Sequence, residues 1–206
     1  MALTTFYELK TSIANFLNRD DLTAIIPDFI TLAEVNMDRQ VRHFRMEKRS
    51  TATVSSQYLT LPTDLLEPIR FMMTGGSKTT RLELMGQGQI AQSREETADR
   101  SGQPTNYAIT DGSIELFPRP DGDYTIELVY YAQIDKLNAG NTSNWVLEYH
   151  PDLYLYGALI HSAPYLEDDQ RMGTWAALYQ SALDAIIGQF ENAAYSGASR
   201  RIKITR

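Results

Sequence analysis

The 206-residue sequence contains no cysteine, and this absence excludes whole classes of protein. Disulfide scaffolds, zinc sites built on thiolates and cysteine nucleophiles all need a residue that the chain lacks. Packing and non-covalent polar contacts must therefore hold the fold together. The composition, with 43% hydrophobic and 22% charged residues, is that of an ordinary globular protein rather than a disordered one.

Long apolar runs are absent as well. No stretch approaches the roughly 18 uninterrupted apolar residues that a membrane-spanning helix needs. The N-terminal sequence MALTTFYELK lacks the charged leader and the apolar core of a signal peptide. We therefore expect a protein that is made in the cytoplasm and does not insert into a membrane.

Catalytic signatures are missing too. The sequence has no nucleophile elbow, no phosphate-binding loop and no dinucleotide fingerprint. Its acidic pairs, such as Asp20-Asp21 and Asp168-Asp169, are adjacent residues on expected turns, whereas acid–base hydrolysis needs two carboxyl groups held across a cleft. We predict no catalytic residue, no cofactor and no enzymatic activity.

One cluster contains metal-ligating residue types: Glu148, His150, Asp152 and His161. Its spacing argues against a metal site, because His161 lies about three helical turns beyond His150, or roughly 16 Å along a helix axis. We interpret Pro151 as the first residue of a helix and Asp152 as an acid facing the positive helix N-terminus. The sequence therefore predicts no metal ligands.

Helical periodicity marks both ends of the chain. Apolar residues recur every three or four positions over residues 5–17, and Thr5 with Glu8 forms a capping-box pattern at the start. A second helix is expected from Pro27, a residue favoured in a first turn, to about Phe44. We expect these two helices to pair in antiparallel orientation.

Near the C-terminus the helical period returns at about Trp145. Residues 151–166 are apolar on both faces, which predicts a centrally buried helix, and Pro164 is expected to kink or end it. The final helix, roughly residues 168–194, carries an apolar stripe that is typical of an ordinary core-facing surface. This stripe comprises Met172, Trp175, Tyr179, Ala182, Ile186, Gln189 and Ala193.

Between the helices the period changes to alternation. Short strands are predicted in TATV, YLTLP and EPIRFMM from about Ser50 onward. Asp111-Gly112 predicts a hairpin, since a tight turn there needs positive φ. The hairpin and the strand after it are expected to form an antiparallel meander with one buried face, while residues 86–100 read as an exposed helix or loop. In the last strand the residues of one face are Tyr124, Ile126, Leu128 and Tyr130.

These elements predict an α+β fold. Residues 1–49 and 145–195 are expected to form one discontinuous helical bundle, into which residues 50–132 are inserted as a small antiparallel β domain. Residues 133–144 are predicted to be a polar linker loop, and residues 196–206 a basic C-terminal docking tail.

The net charge of −7 is unevenly spread. The last eleven residues hold four basic and no acidic side chains, so the first 195 residues carry −11, which argues against a general nucleic-acid coat. Basic and apolar residues alternate in this tail, a pattern that suits strand addition to a partner's sheet, although a frayed, solubilising terminus is the alternative. The docking residues hypothesised here are Ser199, Arg200, Arg201, Ile202, Lys203, Ile204, Thr205 and Arg206.

One basic stretch lies in the body of the chain. Only Phe44 is nearby for stacking on bases, so a nucleic-acid interface is not favoured. We interpret the stretch as a helix C-terminus that complements the helix dipole and forms salt bridges to acidic neighbours. Contacts with neighbouring subunits are hypothesised for its cations, which are Arg39, Arg42, Arg45, Lys48 and Arg49.

The segment GQPTNYAITDGSIELFPRPDGDYTIELVYYA, followed by TSNWVLEYHPDLYLYGALIHSAPYLEDDQRMGTWAALY, resembles head-to-tail adaptor proteins of tailed bacteriophages and prophages, short-tailed phages in particular. The opening TTFYELKTSIANFLNRDDLTAIIPDFITLAEVNMDR and the strand LTLPTDLLEPIRF are also similar to that family. The resemblance implies a virion protein, a helical bundle with a β domain, and a ring of about twelve copies. It also implies docking beneath the portal, contact with the tail nozzle or tail tube, and a C-terminal segment on the portal.

An acidic body suits the wall of a channel along which DNA passes without sequence-specific binding. Two other functions remain open from the residues alone. One is a peptidoglycan-degrading tail component, because the chain is rich in carboxylates. The other is a cytoplasmic scaffold unrelated to phage, built around the apolar stripe between Trp175 and Ala193.

Overall fold

Helices occupy both ends of the chain and strands occupy its middle. The computed structural model describes residues 3–74, 79–98, 100–166 and 169–195. Its helices are α1 Phe6–Leu17, α2 Ile26–Gln40, α3 Gln87–Thr97, α4 Trp145–Tyr149, α5 Pro151–Leu166 and α6 Asp169–Tyr195. Its strands are β1 Glu47–Val54, β2 Tyr58–Thr60, β3 Leu65–Thr74, β4 Thr80–Arg81, β5 Glu83–Leu84, β6 Asn106–Thr110, β7 Ser113–Phe117 and β8 Tyr124–Ala132. The chain divides into residues 1–45 with 134–206, called here the helical unit, and residues 46–133, called the β unit.

The start of α1 confirms the predicted capping box. The Thr5 hydroxyl accepts a hydrogen bond from the Glu8 amide at 3.3 Å, and the Glu8 carboxylate accepts one from the Thr5 amide at 3.0 Å. These bonds satisfy amide groups that a helix start otherwise leaves open. The residues that α1 buries follow the predicted period and are Phe6, Leu9, Ile13 and Leu17.

The helix α2 begins as expected, with Pro27 in its first turn, but the expected end at Phe44 is wrong. Val41 leaves the helix in an extended conformation, with φ −87° and ψ 130°. The Arg42 guanidinium donates hydrogen bonds to the carbonyl oxygens of Asp38 at 2.8 Å and Val41 at 2.7 Å. Because these bonds satisfy open carbonyl groups, they stabilise the helix end four residues before Phe44.

The helix α5 contacts α1, α2, α4 and α6, as its two apolar faces predict. Gly157 permits a close approach, since a Cβ at this position would lie 3.1 Å from the Ala33 Cβ and 3.2 Å from Cε2 of Tyr179. Pro164 lies in the last turn, and the helix ends two residues later at Leu166. Residues 167–168 lie outside the described residues, so the expectation that this proline kinks or ends the helix stays a prediction.

The helix α6 buries most of the predicted apolar stripe. Trp175, Tyr179, Ala182 and Ile186 are buried, whereas Met172 and Gln189 are exposed. The side chain of Ala193 lies outside the described residues. The buried face therefore starts one turn later than the sequence pattern indicates.

The β unit contains two four-stranded sheets with the strand orders β1-β8-β3-β4 and β2-β7-β6-β5. Neighbouring strands are antiparallel except for the short pair of β5 and β6. Strand β1 starts at Glu47, three residues before the predicted β region. Both sheets contribute to one apolar core, which contains Val54, Leu61, Phe71, Met73, Leu82, Tyr107, Ile114, Leu116, Ile126, Leu128, Tyr130 and Ala132.

The predicted hairpin is confirmed, and the predicted meander is wrong. Asp111 and Gly112 have φ values of 38° and 73°, as a two-residue turn between β6 and β7 requires. Strand β8, however, pairs with β1 and β3 in the other sheet. Pro118 and Pro120, which have no amide N–H to donate, separate β7 from β8, and β8 belongs to the other sheet.

The helix α3 confirms the expectation of an exposed helix between strands. Among its described residues only Ile90 is buried, so α3 adds little to the apolar core. The Arg94 guanidinium forms a salt bridge with the Glu115 carboxylate of β7, which also accepts a hydrogen bond from the Gln57 amide at 3.2 Å. These contacts attach α3 to the sheet.

A cleft of about 290 Å³ opens onto the core of the β unit. Its rim includes Ser50 and Ala52 of β1, an edge strand of its sheet. The cleft is also lined by Phe71, Ile126 and Leu128, which are buried residues of the apolar core. No acidic, basic or histidine side chain lines the cleft in the part of the chain that the structure describes, so the cleft offers no acid–base chemistry.

Candidate functional site

The basic residues between positions 39 and 49 belong to both units. Arg39 lies in the last turn of α2 and Arg42 caps that helix, whereas Lys48 and Arg49 lie on β1. The prediction of one continuous basic helix end is wrong, because α2 ends at Gln40. The prediction that cations of this stretch complement the helix end is confirmed by Arg42.

Two of these cations form salt bridges within the β unit. The Lys48 ammonium lies 2.9 Å from the Asp64 carboxylate, and the Arg49 guanidinium lies 3.5 Å from Glu127. Arg70 binds the same Glu127 at 3.0 Å, so one carboxylate on β8 joins the strands on either side of it. The predicted salt bridges to acidic neighbours therefore exist, and they lie within one chain.

Arg45 differs from these cations because it lies against aromatic rings. Its guanidinium carbon is 4.2 Å from the centre of the Tyr149 ring and 5.8 Å from that of Phe44, which are cation–π distances. The two rings are 52% and 48% exposed. Within the described ranges no carboxylate forms a salt bridge with Arg45. We call Phe44, Arg45 and Tyr149 the arginine–aromatic patch.

A buried histidine supports this patch. His43 is 3% exposed, and its ring stacks on Trp145 with centroids 4.9 Å apart and planes 16° apart. The ring centroid of Phe44 lies 4.1 Å from that of His43 on the patch side, and Phe190 of α6 lies 6.2 Å away. Packed rings of this kind restrict side-chain rotation, so the buried side of the patch is well packed.

The protonation state of His43 follows from its surroundings. Burial lowers its pKa, and the positive charges of His150 and Arg45 lower it further. The Nδ1 atom accepts a hydrogen bond from the Arg45 amide at 3.2 Å, which requires a neutral ring with the proton on Nε2. His43 is therefore an uncharged packing group and leaves Arg45 as the cation of the patch.

The helix α4, which carries two of these aromatic rings, is fixed by a buried polar network. The Asn144 side-chain oxygen accepts a hydrogen bond from the Leu147 amide at 2.9 Å and so caps α4. The Asn144 side-chain amide donates to the Tyr154 hydroxyl at 2.6 Å, and that hydroxyl donates to the Glu34 carboxylate at 3.1 Å. The network thus connects α4 to α5 and α2.

Two carboxylates one turn apart on α2 accept hydrogen bonds from the backbone of the segment that follows β8. Glu34 accepts a hydrogen bond from the Leu137 amide at 2.7 Å, and Asp38 accepts one from the Ile134 amide at 2.9 Å. Burial raises the pKa of both carboxyl groups, against the opposing effect of these hydrogen bonds. We call this network the polar clasp, and its side chains are Glu34, Asp38, Asn144 and Tyr154.

The polar clasp is a site that sequence reasoning missed. The sequence predicts a polar linker over residues 133–144, yet Ile134 and Leu137 are buried within this segment. The available signal was the position of Glu34 and Asp38, each beside a buried apolar residue of α2. A carboxylate at such a position needs donors that the helix itself cannot supply.

The residues considered as a metal site are not assembled into one. No group of three or more histidine, aspartate or glutamate side chains among the described residues is placed to hold a metal ion. His150 is the C-terminal cap residue of α4, and Pro151 begins α5 as predicted. Burial lowers the pKa of His161, which packs as a neutral side chain of α5.

The hypothesised docking tail lies outside the described residues, which end at position 195. Nothing in the structure therefore bears on Ser199, Arg200, Arg201, Ile202, Lys203, Ile204, Thr205 or Arg206. None of the helices in the described ranges combines the length and the apolar character that a bilayer crossing requires.

A protein-family model described as SU10 adaptor protein matches residues 4–202. The chain belongs to the SU10 adaptor protein family. A search of curated proteins found no match. The family match covers both units and confirms, at the level of the family, the resemblance to phage adaptors that the sequence shows. For an adaptor protein the residues of interest are those that contact other proteins, and the arginine–aromatic patch is an exposed cluster that contains residue types found at interface hot spots.

Proposed function

We propose that this SU10 adaptor protein is a structural head-to-tail adaptor of a tailed bacteriophage, of the short-tailed type. About twelve copies form a ring with closed symmetry, which docks on the portal and receives the tail nozzle or tail tube. The observation that carries this proposal is the family match over residues 4–202. The protein is then a component of the virion at the head–tail interface, made in the host cytoplasm.

In this proposal the helical unit is a bundle and the β unit is a domain inserted into it. The contacts of α5 with four other helices support the bundle. The division of the chain at residues 45–46 and 133–134 supports the insertion. An inserted domain leaves two separate surfaces for neighbours, which suits a subunit that contacts copies of itself and other rings.

The acidic composition supports passage of DNA through the ring. The chain holds 26 acidic and 19 basic residues, and a surface of this sign repels the phosphate backbone. DNA is therefore expected to slide through the channel without sequence-specific binding.

Electron microscopy of the purified protein mixed with portal particles tests the ring. Added density that forms a collar below the portal is the expected result. Portal particles that stay bare beside monomers of this protein, at concentrations well above those in an infected cell, would refute the proposal. Bare portal particles alone are the control.

The C-terminal tail is proposed to dock on the portal. Deletion of residues 196–206 removes four basic side chains and is expected to abolish co-sedimentation with portal particles. Far-ultraviolet circular dichroism of the truncated chain checks that it still folds. A matched variant that keeps the tail length, with Arg200, Arg201, Lys203 and Arg206 all changed to glutamine, separates loss of charge from loss of strand addition. Undiminished co-sedimentation of the deletion variant would disprove the role of the tail.

A peptidoglycan-degrading tail component is the alternative function. The structure gives it little support, because Glu34 and Asp38 accept hydrogen bonds from backbone amides and the cleft of the β unit has no carboxylate in its lining. A zymogram with purified protein discriminates between the two functions. Clearing that is lost in Glu148→Gln or Asp152→Asn would favour hydrolysis over the structural role.

A further inference from the structure

We infer that the arginine–aromatic patch is a contact between neighbouring copies of this chain, in which Arg45 binds a surface carboxylate of the next copy between the rings of Phe44 and Tyr149. This inference rests on the proposed ring. It deepens that proposal by naming the residues and the chemistry of one subunit interface.

The pairing of the other cations singles out Arg45. Arg42 is bound to carbonyl oxygens at the end of α2, and Lys48 and Arg49 have acidic partners on their own chain. Arg39 is exposed but has no aromatic neighbour among the described contacts. Of the five cations between positions 39 and 49, only Arg45 lies against two exposed aromatic rings while forming no salt bridge with a carboxylate of the described residues.

The composition of the patch matches that of interface hot spots. Arginine and tyrosine are enriched where truncation costs the most binding energy, and charged groups there are shielded from water by surrounding apolar contacts. Phe44 and Tyr149 are about half exposed, so a partner that covers them removes apolar area from water. A partner that covers these rings would also strengthen an ion pair made by Arg45, because the local dielectric constant falls when water is excluded.

The patch is organised before any partner binds. The His43 ring lies against both Phe44 and Trp145, and its Nδ1 atom accepts the Arg45 amide. The Asn144 cap and the rest of the polar clasp fix α4, which carries Tyr149. Side chains that are already immobile lose little entropy on association.

Charge complementarity favours a second copy of this chain as the occupant. The first 195 residues carry a net charge of −11, so another copy of this chain offers many carboxylates. A closed ring needs a heterologous contact, in which one face of each subunit meets a different face of the next. An arginine on one face and a carboxylate on the other meet that requirement.

The first experiment compares Arg45→Glu with a matched control. Lys10→Glu changes the net charge by the same amount and also lies near an exposed ring, with the ammonium 5.8 Å from the centre of Tyr7. We expect Arg45→Glu to weaken association between copies by about tenfold or more, and Lys10→Glu by less than about twofold. Sedimentation velocity of the isolated protein and collar occupancy on portal particles measure the loss. Tryptophan fluorescence confirms that both variants fold.

The second experiment identifies the partner carboxylate. Arg45→Lys keeps the charge and introduces an amine, which a carbodiimide couples to a carboxylate in direct contact. A mixture of ¹⁵N-labelled and unlabelled protein distinguishes cross-links between copies from those within one copy. We expect mixed-isotope cross-links from position 45, both in the concentrated protein and in collars on portal particles. Cross-links to portal peptides instead, or none above the level of the unmodified protein, would overturn the inference.

The two proposals fail in different ways. If Arg45→Glu forms collars as well as the wild-type protein does, the proposed ring is retained and the patch is rejected as a contact between its subunits. If the wild-type protein forms no collar but its copies associate through position 45, the patch is retained and portal docking is lost. Absence of cross-links between copies in both preparations rejects the patch as a subunit contact.

Discussion

The pKa values of two partly or fully buried carboxylates, Glu34 of the helical unit and Asp64 of the β unit, shift in opposite directions. In the helical unit, burial raises the pKa of Glu34, and its hydrogen bonds do not offset this effect. In the β unit, partial burial also acts to raise the pKa of Asp64, but hydrogen bonds from Lys48 at 2.9 Å and from the Tyr130 hydroxyl at 2.9 Å outweigh it and lower the pKa. The hydrogen-bond donors to Glu34 are neutral, whereas one of the donors to Asp64 is the charged Lys48 ammonium.

This difference shows what each carboxylate does for the fold. Glu34 receives the Leu137 amide and the Tyr154 hydroxyl, groups that would be buried without a partner if it were removed. Asp64 joins neighbouring strands at a place that water reaches. We therefore expect the fold of the helical unit to depend on Glu34 more than the fold of the β unit depends on Asp64, and substitutions of these two residues test that contrast.

The largest effect is expected for Glu34→Ala. The Leu137 amide and the Tyr154 hydroxyl both lose their acceptor, so the free energy of unfolding should fall by about 1–3 kcal/mol. Tryptophan fluorescence during urea unfolding measures it, because Trp145 and Trp175 both belong to the helical unit. A loss below about 0.5 kcal/mol would show that the clasp is not needed.

Glu34→Gln is the matched control, since its side-chain oxygen still accepts both hydrogen bonds. The sign of its pH dependence follows from the raised pKa. Wild-type Glu34 contributes stability that is fully present below its unfolded pKa, near 4.3, and is lost as pH rises through the folded pKa. The stability of Glu34→Gln relative to wild type should therefore increase from pH 4 to pH 8, and the opposite trend would contradict the assignment.

A smaller loss is expected for Gly157→Ala. The added Cβ would lie 3.1 Å from Ala33 and 3.2 Å from Tyr179, and overpacking of this kind costs about 1–3 kcal/mol. Alanine recovers about 1 kcal/mol of helix propensity, so the net loss is about 1 kcal/mol. Gly173→Ala on α6 is the control, because nothing lies within 4 Å of its added Cβ, and it should be stabilising. Equal effects of the two variants in urea unfolding would disprove the close approach of α5.

Local patterns predicted most of the elements but not the contacts between distant residues. Some features depend only on residues within a few positions of each other, so a local sequence pattern predicts them. They are the capping box of Thr5, the Asp111-Gly112 turn and the buried face of β8. The crossing of β8 into the other sheet depends on which strands pair, and that is decided by the packing of the whole β unit.

The candidate site was predicted only in part, for the same reason. The charge of the stretch predicts Arg45 only as one of five cations that contact neighbouring subunits. The rings that distinguish it from Lys48 and Arg49 include Tyr149, which is 104 positions away and is brought to it by the fold. The polar clasp likewise joins α2 to amides about 100 positions later in the chain. Periodicity cannot reveal such pairs, because it reports only which face of an element is apolar.

The smallest effect is expected for Asp64→Asn in the β unit. Asparagine keeps an acceptor for the Tyr130 hydroxyl but removes the charge that binds Lys48, and a partly exposed salt bridge of this kind contributes about 1 kcal/mol or less.

Because the folded pKa of Asp64 is lowered, its contribution is present above the unfolded pKa, near 3.9, and is lost as pH falls through the folded pKa. The difference in free energy of unfolding between Asp64→Asn and wild type should thus become smaller as the pH falls. The corresponding difference for Glu34→Gln should become larger as the pH rises, because the wild-type protein loses stability. Hydrogen exchange of the β1 and β8 amides, corrected for the intrinsic effect of pH on exchange, measures this loss without interference from the helical unit. A destabilisation as large as that of Glu34→Ala would mean that Asp64 acts as a buried acid, and the contrast between the two units would no longer hold.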